Sequence, residues 1–184
     1  MSWIEDIRKF QPCTEQEQQD KAQMLDYIET HDRVLWRDDP TAHITVSAWT
    51  VNEDRTKTLM VYHKIYDSWS WIGGHADGDD DLKAVALREL QEETGIRYVI
   101  AADDGIISLE ILPVSGHIKR DVYVSSHLHL NVTYLFVADD TQALTINDVE
   151  NTGVRWFSFE EALRASSEPW MVEHIYRKLI KRSR

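Results

Sequence analysis

The spacing of apolar positions changes character near residue 40. Before that point Trp3, Ile4 and Ile7 stand at helical spacing and predict a short helix, and Thr14 with Glu17 forms the signature of a helix start. The helix opened there is expected to run to about His31 and to bury Met24, Leu25 and Ile28. From Ala42 the period drops to two. His43 to Val51 alternates as a strand does, Asn52-Glu53-Asp54-Arg55 is a turn, and Thr58 to Ile65 returns, so a hairpin is expected. From Leu82 the period is helical again, with Leu82, Val85, Ala86 and Leu90 on one face. Short runs rich in β-branched and aromatic residues, Tyr98 to Ala101, Ile106 to Val114 and Leu128 to Ala138, predict further strands. Val154 to Phe157 gives a last strand and Phe159 to Ala165 a helix. Pro169 then opens a terminal helix whose apolar positions include Met171, Val172, Ile175 and Leu179. No repeat or low-complexity linker interrupts this order. The expected organisation is a helical extension over residues 1–40 packed on a domain over 41–184 that includes the terminal helix.

The helix beginning at Leu82 carries the most unusual polar residues. At about 100° per residue, Glu89 and Glu93 fall within roughly 20° of the direction of Leu82, and Glu92 lies at the edge of the same sector. The acids therefore continue the stripe that should be buried. Like charges at these spacings repel, and desolvated carboxylates are costly unless paired or ligated. Acids near a helix C-terminus also oppose the macrodipole. A hard divalent cation relieves the repulsion and the desolvation together. The ordinary alternative is a solvated acidic helix end, and the glycines around the helix argue against it. Gly73 and Gly74 precede the helix, Gly78 lies in a loop with Asp77, Asp79, Asp80 and Asp81, and Thr94-Gly95 stops the helix as a left-handed cap does.

Gly74, Arg88, Glu89, Leu90, Glu92, Glu93, Gly95 and Ile96 match, at the required spacing, the Nudix box G-x5-E-x7-R-E-U-x-E-E-x-G-U, where U is a bulky apolar residue. The segment resembles that of the Nudix hydrolase superfamily. Two positions depart from the pattern. Asp80 stands where the family has Glu, so the salt bridge that this acid makes to the box arginine, here Arg88, falls to Asp80 or to its neighbour Asp81. Ile72 stands where many relatives carry Pro. The resemblance implies an α/β/α sandwich with a mixed β-sheet, here with the N-terminal helical extension and C-terminal helix. It also implies hydrolysis of a nucleoside diphosphate linked to another moiety, by water attacking phosphorus with Mg²⁺ or Mn²⁺. On the family pattern Gly74, Glu89, Glu92 and Glu93 hold metal and Arg88 orients Glu89. The general base comes from the box or from a later loop. Glu150, in V-E-N-T-G-V-R-W-F, is the candidate for the later acid, with an exposed loop acid as the alternative.

Composition narrows the partners. A formal charge of −12 disfavours nucleic acid polymers and anionic membranes, which need clustered Lys and Arg. The one basic run, Lys178 to Arg184, is expected to be the solvated end of a helix. A small nucleotide diphosphate derivative remains compatible, since bound cations reverse the local sign. Cys13 is the only cysteine, no apolar stretch reaches membrane-spanning length, and the N-terminus lacks a signal-peptide pattern, so a cytoplasmic setting is expected. A homodimer is plausible by resemblance.

Other residues are weighed against ordinary roles. His75 directly follows Gly74, which on the family geometry places it near metal or substrate phosphate; an exposed loop histidine is the alternative. His127, His129 and Asn131 share one strand face. An H-x-H pair can bind zinc, but no third ligand stands at diagnostic spacing, so a substrate-facing wall is the preferred reading, against partly exposed structural histidines. Tyr66, Trp69 and Trp71 are candidates to stack on a base, with packing favoured for Trp69; Trp156 is expected in the core. Two other activities compete with the hydrolase. An isopentenyl-diphosphate isomerase-like reaction needs a cysteine beside the site, and Cys13 lies in the helical prefix. A non-catalytic nucleotide sensor tends to lose box acids, and all three are kept.

Overall fold

The computed structural model describes residues 2–119, 121–149 and 151–184. Its spine is β1 (Ala42–Asn52), buried along its whole length because its two faces enter different cores. Ile44, Val46 and Ala48 point to one side. They join Leu82, Val85, Ala86 and Leu90 of α3 (Leu82–Thr94), Ile7 of α1 (Trp3–Lys9), and Met24 and Ile28 of α2 (Glu15–Thr30). Trp49 and Val51 point to the other side, into a cluster with Phe157, Phe159, Ile175, Tyr176 and Leu179. A strand that must satisfy an apolar layer on each face stands at the middle of a helix–sheet–helix sandwich.

The sheet runs β10 (Asn151–Ser158), β2 (Lys57–His63), β1, β9 (His127–Ala138), β5 (Val99–Ala101). Beside that path β3 (Ser68–Ser70) pairs with β2, β4 (Ile72–His75) with β1, and β6 (Ser108–Val114) with β9. β1 and β9 are parallel from Ala42↔Leu128 to Asn52↔Ala138, and the other pairs are antiparallel, so the sheet is mixed. Two registers matter for the site: His43 lies beside His129, and Val46 and Thr45 lie beside Gly74 and His75. A separate hairpin of β7 (His117–Lys119) and β8 (Val122–Val124) was not foreseen, since neither strand is long enough to show a period.

Local chemistry explains the helix ends. Thr14 Oγ1 accepts the Glu17 N–H at 3.1 Å, but the Glu17 carboxylate reaches the Cys13 N–H at 2.9 Å rather than closing a reciprocal box. Asp81 caps α3 through the Ala84 N–H at 3.0 Å, and Gly95 ends it at φ 74°, a conformation costly for residues with a β-carbon. Ser158 and Glu161 form a complete capping box on α4 (Phe159–Ala165). The terminal helix is interrupted: α5 (Pro169–Met171) passes through a π-helical turn, Val172–Tyr176, into α6 (Arg177–Arg182). Trp49 packs on Tyr176 and donates to Ser183 Oγ at 2.9 Å, which docks this segment on the sheet.

The expectation of a solvated basic tail is corrected here. Lys178 is buried, with Nζ 3.0 Å from Glu17 Oε1 and 2.9 Å from Glu110 Oε1, and Arg182 grips both Glu17 oxygens at 2.8 and 2.9 Å. The Ser108 hydroxyl lies between the two carboxylates. The long stems of Lys178 and Arg182 let the charges reach carboxylates delivered by α2 and β6. Burial pushes Glu110 up despite Lys178. Burial acts the same way on Glu17, but the Cys13 N–H with Lys178 and Arg182 outweighs it and holds Glu17 below the ordinary range. No described helix is long and apolar enough to cross a membrane.

Candidate active site

The box acids differ in burial, and the one at the edge of the apolar sector is the exposed one. Glu93 is buried at 6% exposure, Glu89 is half-buried, and Glu92 is exposed. α3 lies against the face of β1 that presents Val46, and the register puts Gly74 beside Val46 on that same face. A β-carbon at residue 74 would stand 2.6 and 2.7 Å from the Glu89 oxygens. Glycine is thus required for the carboxylate to occupy its place.

Glu93 is anchored from the other end of the sheet. Asn151 Nδ2 donates to Glu93 Oε2 at 3.0 Å, and Asn151 is itself buried at the start of β10, where a bulge shifts the register. Its Oδ1 is buried without a hydrogen-bond partner. Sequence reasoning missed this residue; the signal was its position directly after Glu150. The preceding loop is tied to the sheet by Lys64 Nζ, which donates to the carbonyls of Asp148 and Val149. Glu150 itself lies outside the described residues. Tyr66 is exposed and stacks on His63 at 4.3 Å, and His63 is the register partner of Asn151, so Tyr66 belongs to the same end of the sheet.

The arginine partner differs from the expectation. Arg88 Nη1 lies 3.2 Å from Asp79 Oδ2, not on Asp80 or Asp81. Asp81 is engaged as the α3 cap, and its own N–H binds Asp79 Oδ1 at 3.1 Å, which holds Asp79 facing Arg88. That N–H, with the Arg88 guanidinium, keeps the Asp79 carboxyl below its ordinary range.

Strand alternation carries His75 to the face opposite Gly74. There it meets His43, His127 and His129, with ring centroids 4.9 to 5.1 Å apart among neighbours. The structure therefore gathers His75, His127 and His129 with one another, and with a histidine the sequence reading passed over, rather than on the glutamate face. Burial and the neighbouring imidazoles push His129 down to about 2, and burial also lowers His43, so both rings are neutral at ordinary pH. Trp69 packs edge-on against Phe157 and Tyr62, in line with a packing role.

Two donor sets result. Carboxylates and amide oxygens on the α3 face are hard donors, suited to Mg²⁺ or Mn²⁺. The fit is supported by the glycine cradle under Glu89 and by the orphaned Asn151 Oδ1 beside Glu93.

A family model described as "NUDIX domain" matches residues 41–181. A Xenopus laevis protein named nucleoside diphosphate-linked moiety X motif 6 is 38% identical over 58 residues, which are 30% of this chain and 27% of that protein. The chain thus aligns with about a quarter of that relative's length. Among solved structures, a C. elegans Ap4A hydrolase binary complex has a TM-score of 0.52 at 17% identity, covering 74% of this chain and 93% of that one. A MutT protein from Methanosarcina mazei Go1 has a TM-score of 0.56 at 18% identity, covering 78% and 96%. The NUDIX domain of Shewanella oneidensis NrtR, complexed with ADP ribose, has a TM-score of 0.52 at 20% identity, covering 85% and 96%. At these identities the likeness is one of fold.

Proposed function

The chain belongs to the NUDIX family of hydrolases, and from that premise we propose that it is a metal-dependent pyrophosphohydrolase. Its substrate on this reading is a nucleoside diphosphate linked to another moiety, cleaved by attack of water on phosphorus. The observation that carries the reading is the cradle in which Gly74 leaves room for Glu89 while Asn151 holds the buried Glu93. Gly74, Glu89, Glu92 and Glu93 are the proposed ligands of Mg²⁺ or Mn²⁺. Bound there, the cation supplies positive charge to the diphosphate and lowers the pKa of the attacking water.

The chain's own groups have distinct tasks. Asn151 fixes the Glu93 carboxylate, so that the last turn of α3 presents it in one orientation. Arg88, paired with Asp79, holds the loop before α3 against the helix and thereby positions the neighbouring Glu89. Glu150 precedes Asn151 directly, and we assign it the removal of the water's proton. Tyr66, exposed and stacked on His63, offers a ring face to the base or to the second moiety. Cys13 is exposed at the start of α2, bound through its N–H to Glu17, a placement that does not favour isomerase chemistry. A single exposed thiol suits the reducing cytoplasm.

The test is phosphate release from a panel of nucleoside diphosphate derivatives with Mg²⁺, starting from Ap4A and ADP-ribose, the compounds named with two of the similar structures. Wild type is compared with Glu93→Gln. Turnover by wild type that the variant loses supports the assignment, and equal turnover by both refutes it. Binding without turnover by either protein favours a sensor.

A further inference from the structure

The face of the sheet opposite the glutamates carries a second set of ligands. We propose that His43, His75 and His129, with His127 beside them, form a site for a borderline-soft divalent cation of the zinc type, separate from the hard-cation site of the box. His43 comes from β1, His75 from β4, and His127 and His129 from β9; parallel pairing sets His43 beside His129, and antiparallel pairing brings β4 along the other edge of β1.

The ligand nitrogens of His43, His75 and His129 all lie within 4.8 Å of one another. Nitrogens on one tetrahedral zinc ion stand about 3.4 Å apart, so side-chain rotations that close up to about 1.4 Å complete the site. His127 Nε2 is 3.2 Å from His129 Nε2, near the ligand–ligand spacing of a tetrahedral zinc centre.

The tautomers are set from outside. His127 Nδ1 is 2.8 Å from the Ser125 carbonyl, and His43 Nδ1 is 3.4 Å from the Asp39 carbonyl. A carbonyl only accepts, so each Nδ1 carries the proton; without an ion the His127 Nε2 lone pair accepts from His129 Nε2, whose proton a bound cation displaces, while the His43 Nε2 lone pair has no partner. Such backbone carbonyls behind the rings are the usual outer support of histidine ligands. For His43 the consequence is direct: the residue is 3% exposed, and its Nε2 is buried with no hydrogen-bond partner. A buried lone pair left bare is destabilising, and a cation satisfies it.

Charge and access are compatible with a cation. The nearby Arg37 is paired with Asp77 through both carboxylate oxygens, which offsets its charge. His75, His127 and His129 are only half-buried, so an ion can enter. Four imidazoles supply no hard oxygen, and the preference runs to Zn²⁺, Co²⁺ or Ni²⁺ over Mg²⁺. The occupant would clamp β4, the strand that bears Gly74, to β1 and β9.

The experiment uses the untagged full chain, stripped with chelator and held in millimolar Mg²⁺ so that the carboxylates are occupied. Zn²⁺ and Co²⁺ are titrated by calorimetry and by the visible Co²⁺ bands, and the zinc-loaded wild type is examined by X-ray absorption. The expected result is about one equivalent of Zn²⁺ bound in the presence of Mg²⁺. Its absorption spectrum should contain at least three imidazole ligands at about 2.0 Å. His75→Gln, at a half-buried position, should weaken binding at least tenfold while Glu93→Gln leaves it unchanged. Failure of wild type to bind Zn²⁺, a ligand shell of carboxylates alone, or undiminished binding by His75→Gln would each overturn the proposal. The wild-type spectrum decides the matter even if a variant misfolds, and the Glu93→Gln arm separates this site from the box.

Discussion

Asn151 Nδ2 donates to Glu93 Oε2 across 3.0 Å, which joins the first residue of β10 to the last turn of the box helix. Both residues are buried, at 1% and 6% exposure, so water does not replace this bond if it is lost. Removing an outer support of a metal ligand costs about 10–100-fold in metal affinity or activity. Asn151→Ala is therefore expected to raise the Mg²⁺ concentration for half-maximal turnover by about 10–100-fold. A Mg²⁺ titration of initial rates checks this, and an unchanged midpoint would separate Asn151 from the metal.

Gly74 offers a test that divides stability from chemistry. The atoms a β-carbon would meet are the end of the Glu89 side chain, which can swing away at small cost. Gly74→Ala should thus unfold within about 1 kcal/mol of wild type, yet lose most of its turnover because Glu89 is displaced. Gly95→Ala should behave in the opposite sense. Its φ of 74° and the nearness of Thr145 make the penalty one of folding, about 1 kcal/mol or more. Denaturant melts alongside initial rates distinguish the two, and a Gly74→Ala protein with full activity would remove Glu89 from the site.

Much of this arrangement was legible because it is local. Helical spacing puts Glu89 and Glu93 on the buried stripe of α3 and Glu92 at its edge, and Glu92 is the exposed one of the three. Gly95 ends the helix in the left-handed conformation expected of it. What was not legible depends on pairing between distant segments. The H-x-H pair at His127 and His129 lacked a third ligand until β1 and β4 delivered His43 and His75. Lys178 read as a solvated tail because nothing near it in sequence announces Glu17 and Glu110. The Arg88 partner was misplaced for a smaller reason: which of three consecutive aspartates turns inward is decided by which one caps the helix.

That choice among aspartates is open to measurement. Asp79 faces Arg88, Asp81 accepts the Ala84 N–H, and Asp80 is exposed. Asp80→Ala should leave turnover within about twofold of wild type. Asp79→Ala should reduce it by about tenfold, the lower end for outer support of a metal ligand, with little change in melting, since exposed ion pairs contribute about 0–1 kcal/mol. Equal effects of the two substitutions would mean that Arg88 does not depend on Asp79 in solution.

The buried ion group beneath the terminal helix predicts a pH dependence that starts from Glu17. Burial alone would raise its pKa, but the Cys13 N–H, Lys178 and Arg182 prevail, and the folded value lies below the ordinary 4.5. The ionised form is therefore favoured by folding, and on acidification the unfolded chain takes up the proton first. By linkage the stabilisation is complete above about pH 4.5 and is lost as pH falls through that value toward the lower folded one. Glu110 has the opposite sign: its raised folded value makes folding take up a proton, so its contribution favours the acid side. The two partly cancel in wild type, and Glu110→Gln should steepen the loss of melting temperature in acid, while Glu17→Gln should flatten it. Glu17→Gln should also be the less stable protein near neutrality, by about 3–5 kcal/mol, because breaking a buried pair from one side leaves Lys178 and Arg182 undercompensated. Melting curves of the three proteins between pH 3 and 7 test the signs, and parallel acid limbs would mean that neither carboxylate changes its proton affinity on folding.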